Sequence, residues 1–210
     1  MIKGIFFDVG GTLCKTSDNK KPSFKRILAN FTNRPVTDFS VRKQGYLWTS
    51  SASKKELIIQ LCRDFKIKGW GSLYKNLSKY SYKVCLYKDV NPCIKKLNSR
   101  YRLGILSNTT SWTAFDHNKL GLGKYLEISV LSCKIGLAKP DVKIFKYVQK
   151  LMGLEPHNLL YVGDSIEYDI EPALKANWKA ILLCRDKNVK DSPVPIINNL
   201  LELENILSKI

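Results

Sequence analysis

The sequence predicts an α/β protein: a parallel sheet with helices on both faces, interrupted by an inserted and mostly helical domain. From residue 90 onward, short apolar runs alternate with helix-like segments, which is typical of a parallel sheet. Between residues 16 and 89 the apolar spacing is helical throughout. The length of 210 residues suits one domain with a sizeable insertion.

The predicted sheet begins at residues 2–7, an apolar run that stops at Asp8 and a Gly10-Gly11 pair. Asn91 should cap a helix that has Pro92 in its first turn. Further strands are expected at 102–107, 126–131, 159–163 and 179–184, with helices near 111–120, 141–152, 169–177 and 199–208. In such a sheet, functional groups gather at the carboxyl ends of the strands.

The middle segment is predicted to be all-helical. One helical face carries Phe24, Ile27, Leu28 and Phe31. Ser53 and Glu56 form a capping box before a second helix, whose buried side has Leu57, Ile58, Leu61 and Phe65. We therefore expect an α/β core of residues 1–14 and 90–210, with residues 15–89 inserted as a helical domain.

The charge is strongly basic, with 35 Lys and Arg residues against 18 Asp and Glu residues. Residues 14–90 contain 17 basic and 5 acidic residues, which is 12 of the 17 net positive charges. This excess suggests an anionic substrate or nucleic acid, although a lysine-rich solvated surface is the simpler interpretation.

The cysteine pattern and the apolar runs exclude several classes of protein. Six scattered cysteines without a CxxC pair, together with two histidines, argue against a zinc site and against a disulfide framework. The apolar runs are too short to span a membrane. Because Asp8 and two glycines interrupt the N-terminal apolar run, we expect a cytoplasmic protein rather than an exported one.

Four polar motifs follow predicted strands or precede a predicted helix. They are Asp8 after the first strand, Ser107-Asn108-Thr109 after the second, Lys139-Pro140 before a helix, and Gly163-Asp164-Ser165 with Asp169. In a parallel sheet these positions converge on one crevice.

These residue types suit phosphate chemistry. The Asp8 carboxylate, beside a loop whose backbone N–H groups include that of Gly11, can act as a nucleophile. Asp164 and Asp169 supply oxygen ligands for Mg²⁺. A hydroxyl from Ser107 or Thr109, together with the Lys139 ammonium, would neutralise a transferring phosphoryl group.

The motifs together resemble those of the haloacid dehalogenase-like (HAD) hydrolase superfamily over nearly the whole chain. The matching segments are Phe7-Asp8-Val9-Gly10-Gly11-Thr12-Leu13, Leu103-Gly-Ile-Leu-Ser107-Asn, Lys139-Pro, Tyr161-Val-Gly-Asp164-Ser-x-x-x-Asp169 and the ending Pro195-Ile-Ile-Asn-Asn-Leu-Leu-Glu-Leu203. The resemblance implies a Rossmannoid core and a helical cap inserted after the first motif. Such a cap closes over the substrate, and Lys and Arg on its inner face would favour anions.

The resemblance also implies a role for each motif residue. Asp8 would form an aspartyl-phosphate, Ser107 and Asn108 would hold phosphoryl oxygens, and Lys139 would neutralise Asp8 and the phosphate. Mg²⁺ would be bound by Asp8, Asp164 and the backbone carbonyl of Gly10, with Asp169 as a further acid in the metal and lysine shell.

One position departs from the pattern of the family's phosphatases. Two residues after the nucleophile they carry an Asp that protonates the leaving group, whereas this chain has Gly10. Such an acid/base typically contributes about 10²–10⁴-fold in rate. Tyr46, Asp18 or a metal-bound water are possible substitutes. The dehalogenase branch also lacks this Asp, but it needs no Mg²⁺ and would leave Gly163-Asp164-Ser165 unexplained.

The favoured prediction is a Mg²⁺-dependent phosphohydrolase that acts on a small phosphorylated metabolite. The alternative is a catalytically weak protein that binds phosphate or nucleic acid through the basic cap. Single-strand binding would require exposed aromatic residues among the basic ones, but at helical spacing aromatic residues more often belong to a core. The candidates are Tyr46, Trp48, Trp70, Tyr74, Tyr80, Tyr82 and Tyr87.

Overall fold

A six-stranded parallel sheet forms the centre of the protein, as predicted. The computed structural model describes residues 1–16, 22–39, 45–80, 84–113, 116–185, 189 and 191–209. The strands of the sheet are β1 (Gly4–Phe7), β4 (Arg102–Ser107), β5 (Ile128–Leu131), β6 (Leu159–Gly163), β7 (Lys179–Leu183) and β8 (Ile196–Ile197). Their spatial order is β5-β4-β1-β6-β7-β8.

Strand β1 lies in the middle of the sheet and is buried along its whole length. Both faces of a parallel sheet are covered, so its central strands have continuous apolar sequences rather than alternating ones. Phe7 lies opposite Ile105 of β4 and Val162 of β6. This register brings the residues that follow β1, β4 and β6 to the same edge of the sheet.

Helices on each face bury the two sets of strand side chains. One face packs on α5 (Val90–Leu97) and α9 (Leu203–Leu207), and the other packs on α7 (Val142–Met152) and α8 (Glu171–Lys175). A short helix, α6 (Ser132–Ile135), directly follows β5. Among the described residues, no helix combines the length and the apolar character needed to cross a membrane.

A second group of helices has an apolar core of its own. It contains α1 (Phe24–Thr32), α2 (Tyr46–Thr49), α3 (Lys54–Asp64) and α4 (Trp70–Ser78), which share buried residues such as Leu28, Leu47, Ile58, Leu61 and Leu73. The predicted capping box at the start of α3 is present. The separate core favours the predicted division into residues 1–14 with 90–210 and residues 15–89, which stays a prediction.

A two-stranded antiparallel ribbon connects the helical group to the sheet. Its strands are β2 (Cys14–Thr16) and β3 (Val84–Leu86), with Cys14 opposite Leu86. The expectation that residues 16–89 are all helical is therefore wrong at β3. The ribbon forms because the outgoing and returning passages of the chain run side by side and pair their backbones.

The predicted helix at 111–120 is also wrong, because residues 111–113 and 116–120 are not helical and 117–121 form a turn; residues 114 and 115 lie outside the described residues. Side chains here compete with helical hydrogen bonding. Asp116 accepts from the N–H groups of Asn118 and Lys119, and the hydroxyls of Thr110 and Thr113 bond each other.

Two further helix boundaries differ from the prediction. Helix α5 begins at Val90, so Asn91 lies within its first turn and is not the N-cap. Asp89 occupies the cap position, but its carboxylate bonds Arg185 and the Leu200 N–H instead. The expected helix at 169–177 is divided into a π-helical turn (Ile166–Ile170) and α8.

The packing of Gly104 in β4 gives a test of the sheet. A Cβ atom there would lie 2.4 Å from Cε1 of Phe6, so Gly104→Ala should lower the free energy of unfolding by about 1–3 kcal/mol. Gly71→Ala in α4 is the control, because its Cβ would meet no atom within 4 Å. This substitution should raise the free energy of unfolding by less than about 1 kcal/mol. Urea unfolding measures both variants. Equal changes in the free energy of unfolding for the two variants would contradict the close packing of Gly104 against Phe6.

Candidate active site

The carboxyl edge of the sheet brings together most of the residues predicted to carry chemistry. Asp8 follows β1, Ser107 ends β4, and Asp164 follows β6. Lys139 lies in the loop before α7, and Asp169 lies in the π-helical turn after β6. All except Asp164 are buried, and the contacts below join them into one cluster.

The Lys139 ammonium is the centre of this cluster. Its Nζ lies 2.7 Å from Asp8 Oδ1 and 2.5 Å from Asp169 Oδ1. It also donates to the Tyr161 hydroxyl at 2.7 Å. Because an ammonium has three N–H donors, these bonds use its full capacity and fix its position.

Burial and charge determine the protonation of this pair. Burial raises the pKa of Asp8 to about 6, with Lys139 opposing the shift and Asp169 adding to it. Burial alone would discharge Lys139, but Asp169 and Asp8 outweigh it and raise the pKa of Lys139 above its ordinary value. Lys139 is therefore a cation at neutral pH, and Asp8 is mostly a carboxylate.

Tyr161 in β6 is a site residue whose role the sequence motifs do not predict, although it lies within one of them. Its hydroxyl accepts from Lys139 and donates to the Leu106 carbonyl at 2.7 Å. Burial raises the pKa of Tyr161 well above its ordinary value, so the hydroxyl keeps its proton. A tyrosine within an apolar strand could have indicated this role, because a buried phenol usually needs a hydrogen-bond partner.

Asn108 has a different contact from the expected one. Its Nδ2 donates to the Lys139 carbonyl at 2.8 Å, and its Oδ1 accepts from the Lys139 N–H at 2.9 Å. Lys139 is itself buried, so its backbone groups need partners. The side-chain amide of Asn108 thus orients Lys139, and the contact of Asn108 with a phosphoryl oxygen stays a prediction.

Of the Ser107 and Thr109 hydroxyls, the structure places that of Ser107 next to the Asp8 carboxylate. Its Oγ lies 3.4 Å from Asp8 Oδ1, which it reaches as a donor. The Thr109 hydroxyl instead contacts the Thr110 carbonyl, and the Thr109 N–H donates to Ser132 Oγ. Ser107 is therefore the hydroxyl beside the candidate nucleophile.

The two glycines after Asp8 have different constraints. Gly11 has a φ of +84°, and a Cβ there would lie 2.5 Å from Asp164 Oδ2. Its N–H donates to the Cys14 carbonyl at 2.9 Å, because the turn closes on itself, and its contact with phosphate stays a prediction. Gly10 is exposed, and a Cβ there would meet nothing within 4 Å.

Three carboxylates form a candidate metal centre. Asp8, Asp164 and Asp169 each offer an oxygen, and these oxygens lie within 4.8 Å of one another. Oxygen donors of this kind suit a hard divalent cation. Both carboxylate oxygens of Asp169 already accept a hydrogen bond, whereas Lys139 and Ser107 both bond Oδ1 of Asp8, so Asp8 is a stronger candidate ligand than Asp169. The Gly10 carbonyl stays a predicted ligand.

Tyr46 is the one proposed substitute for the missing acid that lies among the described residues. The Tyr46 ring packs in the helical core, where burial and a contact with Asp64 raise the pKa of its hydroxyl. Asp18 lies outside the described residues.

The described aromatic residues of the basic segment are mostly partly buried and packed against a core, which agrees with the simpler interpretation. Trp48, Tyr74 and Tyr80 pack against the helical core, and Tyr87 packs against the core on one face of the sheet. Trp70 is 41% exposed, while Tyr82 lies outside the described residues.

Comparison with known proteins identifies the family. The sequence profile of haloacid dehalogenase-like hydrolases matches residues 5–183. Glyceraldehyde 3-phosphate phosphatase of Methanocaldococcus jannaschii is 25% identical, with 100% of this chain and 99% of that protein covered. Human N-acylneuraminate-9-phosphatase is 30% identical over 60% of this chain and 54% of its own length. The crystal structure of 2-haloacid dehalogenase from Pseudomonas syringae pv. Tomato superposes with a TM-score of 0.71, at 19% identity, over 100% of this chain and 99% of that one. The chain thus belongs to the haloacid dehalogenase-like hydrolases.

Proposed function

We propose that this hydrolase is a Mg²⁺-dependent phosphatase that acts on a small phosphorylated metabolite through an aspartyl-phosphate on Asp8. The observation that carries the proposal is the buried Lys139–Asp8 pair, with the second carboxylate of Asp164 nearby. Both relatives compared above by sequence are phosphatases of small phosphorylated compounds by name.

The first chemical step uses the Asp8 carboxylate. One of its oxygens attacks the phosphorus of a phosphate monoester, a new O–P bond forms, and the bond from phosphorus to the leaving oxygen breaks. The Lys139 ammonium and the Ser107 hydroxyl stabilise negative charge on the transferring group. Water then attacks the phosphorus, which releases inorganic phosphate and restores the carboxylate.

The charge of the cluster fits a divalent cation. Three carboxylates lie together, whereas Lys139 supplies one buried positive charge. Asp8 and Asp164, with the Gly10 carbonyl, would hold Mg²⁺, and Asp169 would support Lys139. When bound, the cation would neutralise charge on the phosphoryl oxygens.

The dehalogenase alternative has less support. The superposition on a 2-haloacid dehalogenase reflects a fold that several chemistries share, at 19% identity. A dehalogenase needs no metal, whereas the three clustered carboxylates suit a divalent cation.

Mg²⁺ should raise the melting temperature, because a ligand that binds only the native state stabilises it. Asp164→Asn should abolish most of this shift, and so should Gly11→Ala, whose Cβ would displace the Asp164 carboxylate. Gly10→Ala is the matched control and should keep the shift, since its Cβ has open space. A full response to Mg²⁺ in Asp164→Asn and Gly11→Ala would exclude this metal site.

Gly10 has no side chain that could protonate the leaving group, so turnover should depend steeply on the pKa of the leaving group. Aryl phosphates need little protonation and should have a kcat/KM about 10²–10⁴-fold above that of alkyl phosphates. Gly10→Asp, for which the backbone has room, should raise kcat/KM selectively for alkyl esters. Gly10→Asn is the control for the size of the added side chain.

Steady-state kinetics of both ester classes in the three proteins measures this effect. Similar rates on aryl and alkyl esters in the unmodified protein, with an intact Mg²⁺ response, would mean that another residue supplies the proton.

A further inference from the structure

Arg185 lies just beyond β7 and has no part in the chemistry proposed above, yet its guanidinium is almost fully engaged. Nη1 lies 2.9 Å from Asp89 Oδ2, while Nε and Nη2 donate to the Thr12 carbonyl at 3.2 and 2.8 Å. The guanidinium carbon lies 3.8 Å from the centre of the Tyr87 ring. The side chain is only 11% exposed.

The partners of Arg185 come from both passages between the sheet and the helical group. Thr12 precedes β2, whereas Tyr87 and Asp89 follow β3. The Tyr87 N–H donates to the Leu13 carbonyl at 3.1 Å, which ties the two passages together. Asp89 also accepts from the Leu200 N–H at 2.8 Å. One guanidinium therefore joins the outgoing chain, the returning chain and, through Asp89, the C-terminal segment.

The Thr12 carbonyl belongs to the turn that begins at Asp8. Within this turn, the N–H groups of Leu13 and Cys14 both donate to the Val9 carbonyl, at 2.9 and 2.8 Å. These internal bonds make the turn a small unit whose placement depends on its outside contacts. Thr12 is fully buried, so its carbonyl needs a partner, and Arg185 supplies two donors in a rigid fork.

We propose that Arg185 is a positioning residue for the nucleophile turn. By holding the Thr12 carbonyl, it keeps Asp8 within reach of Lys139 and keeps Gly11 against Asp164. Asp89 and Tyr87 orient the guanidinium by charge and by stacking. The proposal rests on the proposed function, in which Asp8 is the nucleophile.

Arg185→Lys tests the proposal, because lysine keeps the charge but cannot make the forked contact. Misplacement of a reacting group by about 1 Å can cost about 10²-fold in rate, so kcat for an aryl phosphate should fall about 10- to 100-fold with little change in KM. Arg102→Lys is the matched control. Arg102 also bonds a carboxylate, Glu127, and a carbonyl, that of Met152, but it lies at the start of β4, on the opposite edge of the sheet.

Amide hydrogen exchange provides a readout that does not depend on turnover. In Arg185→Lys the amides of Gly11, Leu13 and Cys14 should exchange faster, while those of β6 keep their protection. In Arg102→Lys both kcat and the exchange of the turn should stay at the level of the unmodified protein.

The outcomes separate this proposal from the proposed function. No phosphate release by the unmodified protein would refute the function, while the exchange data would still test whether Arg185 holds the turn. Normal kcat and normal exchange in Arg185→Lys would overturn the proposal, as would a loss of kcat without faster exchange of the turn. If Arg185→Lys does not fold, Asp89→Asn should give a smaller change in the same direction, and its absence would likewise overturn the proposal.

Discussion

The buried positive charge of Lys139 is the constraint around which the rest of the site is arranged. Its side chain is 3% exposed, and a buried ammonium is tolerated only with opposite charges and a full set of hydrogen bonds. Asp8 and Asp169 supply the charges, and Tyr161 supplies the third acceptor. These partners come from β1 and β6 and the turns that follow them, so the register of β1 on β6 and the start of α7 must both be correct for the charge to be paired.

The same arrangement suits the attack on phosphorus that we propose for Asp8. Lys139 offsets the effect of burial on the Asp8 carboxylate, and Ser107 lies close enough to bond a group transferred to it. Gly11 lets Asp164 approach the turn, whereas Gly10 leaves open space beside it. Within a fold that hosts several chemistries, a few side chains at one sheet edge thus determine which reaction is supported.

Much of this arrangement could be predicted from the sequence because it depends on local patterns. Apolar runs ending in Asp8, Ser107 and Gly163 indicated buried parallel strands, and the strand ends indicated the crevice. The roles of Tyr161, Asn108 and Arg185 could not be predicted in the same way, because each is defined by a contact with a residue distant in the chain. The sequence predicts a helix at 111–120, but residues 117–121 form a turn, because the Asp116 side chain accepts hydrogen bonds from backbone N–H groups there.

Chemical trapping during turnover tests the central claim most directly. The protein would be mixed with Mg²⁺ and an aryl phosphate, quenched in acid, reduced with borohydride and examined by peptide mass spectrometry. An acyl phosphate on Asp8 is reduced to an alcohol, so residue 8 should be recovered as homoserine, and only when substrate was present. Phosphate release with an unmodified Asp8, or with the modification on another residue, would contradict nucleophilic catalysis by Asp8.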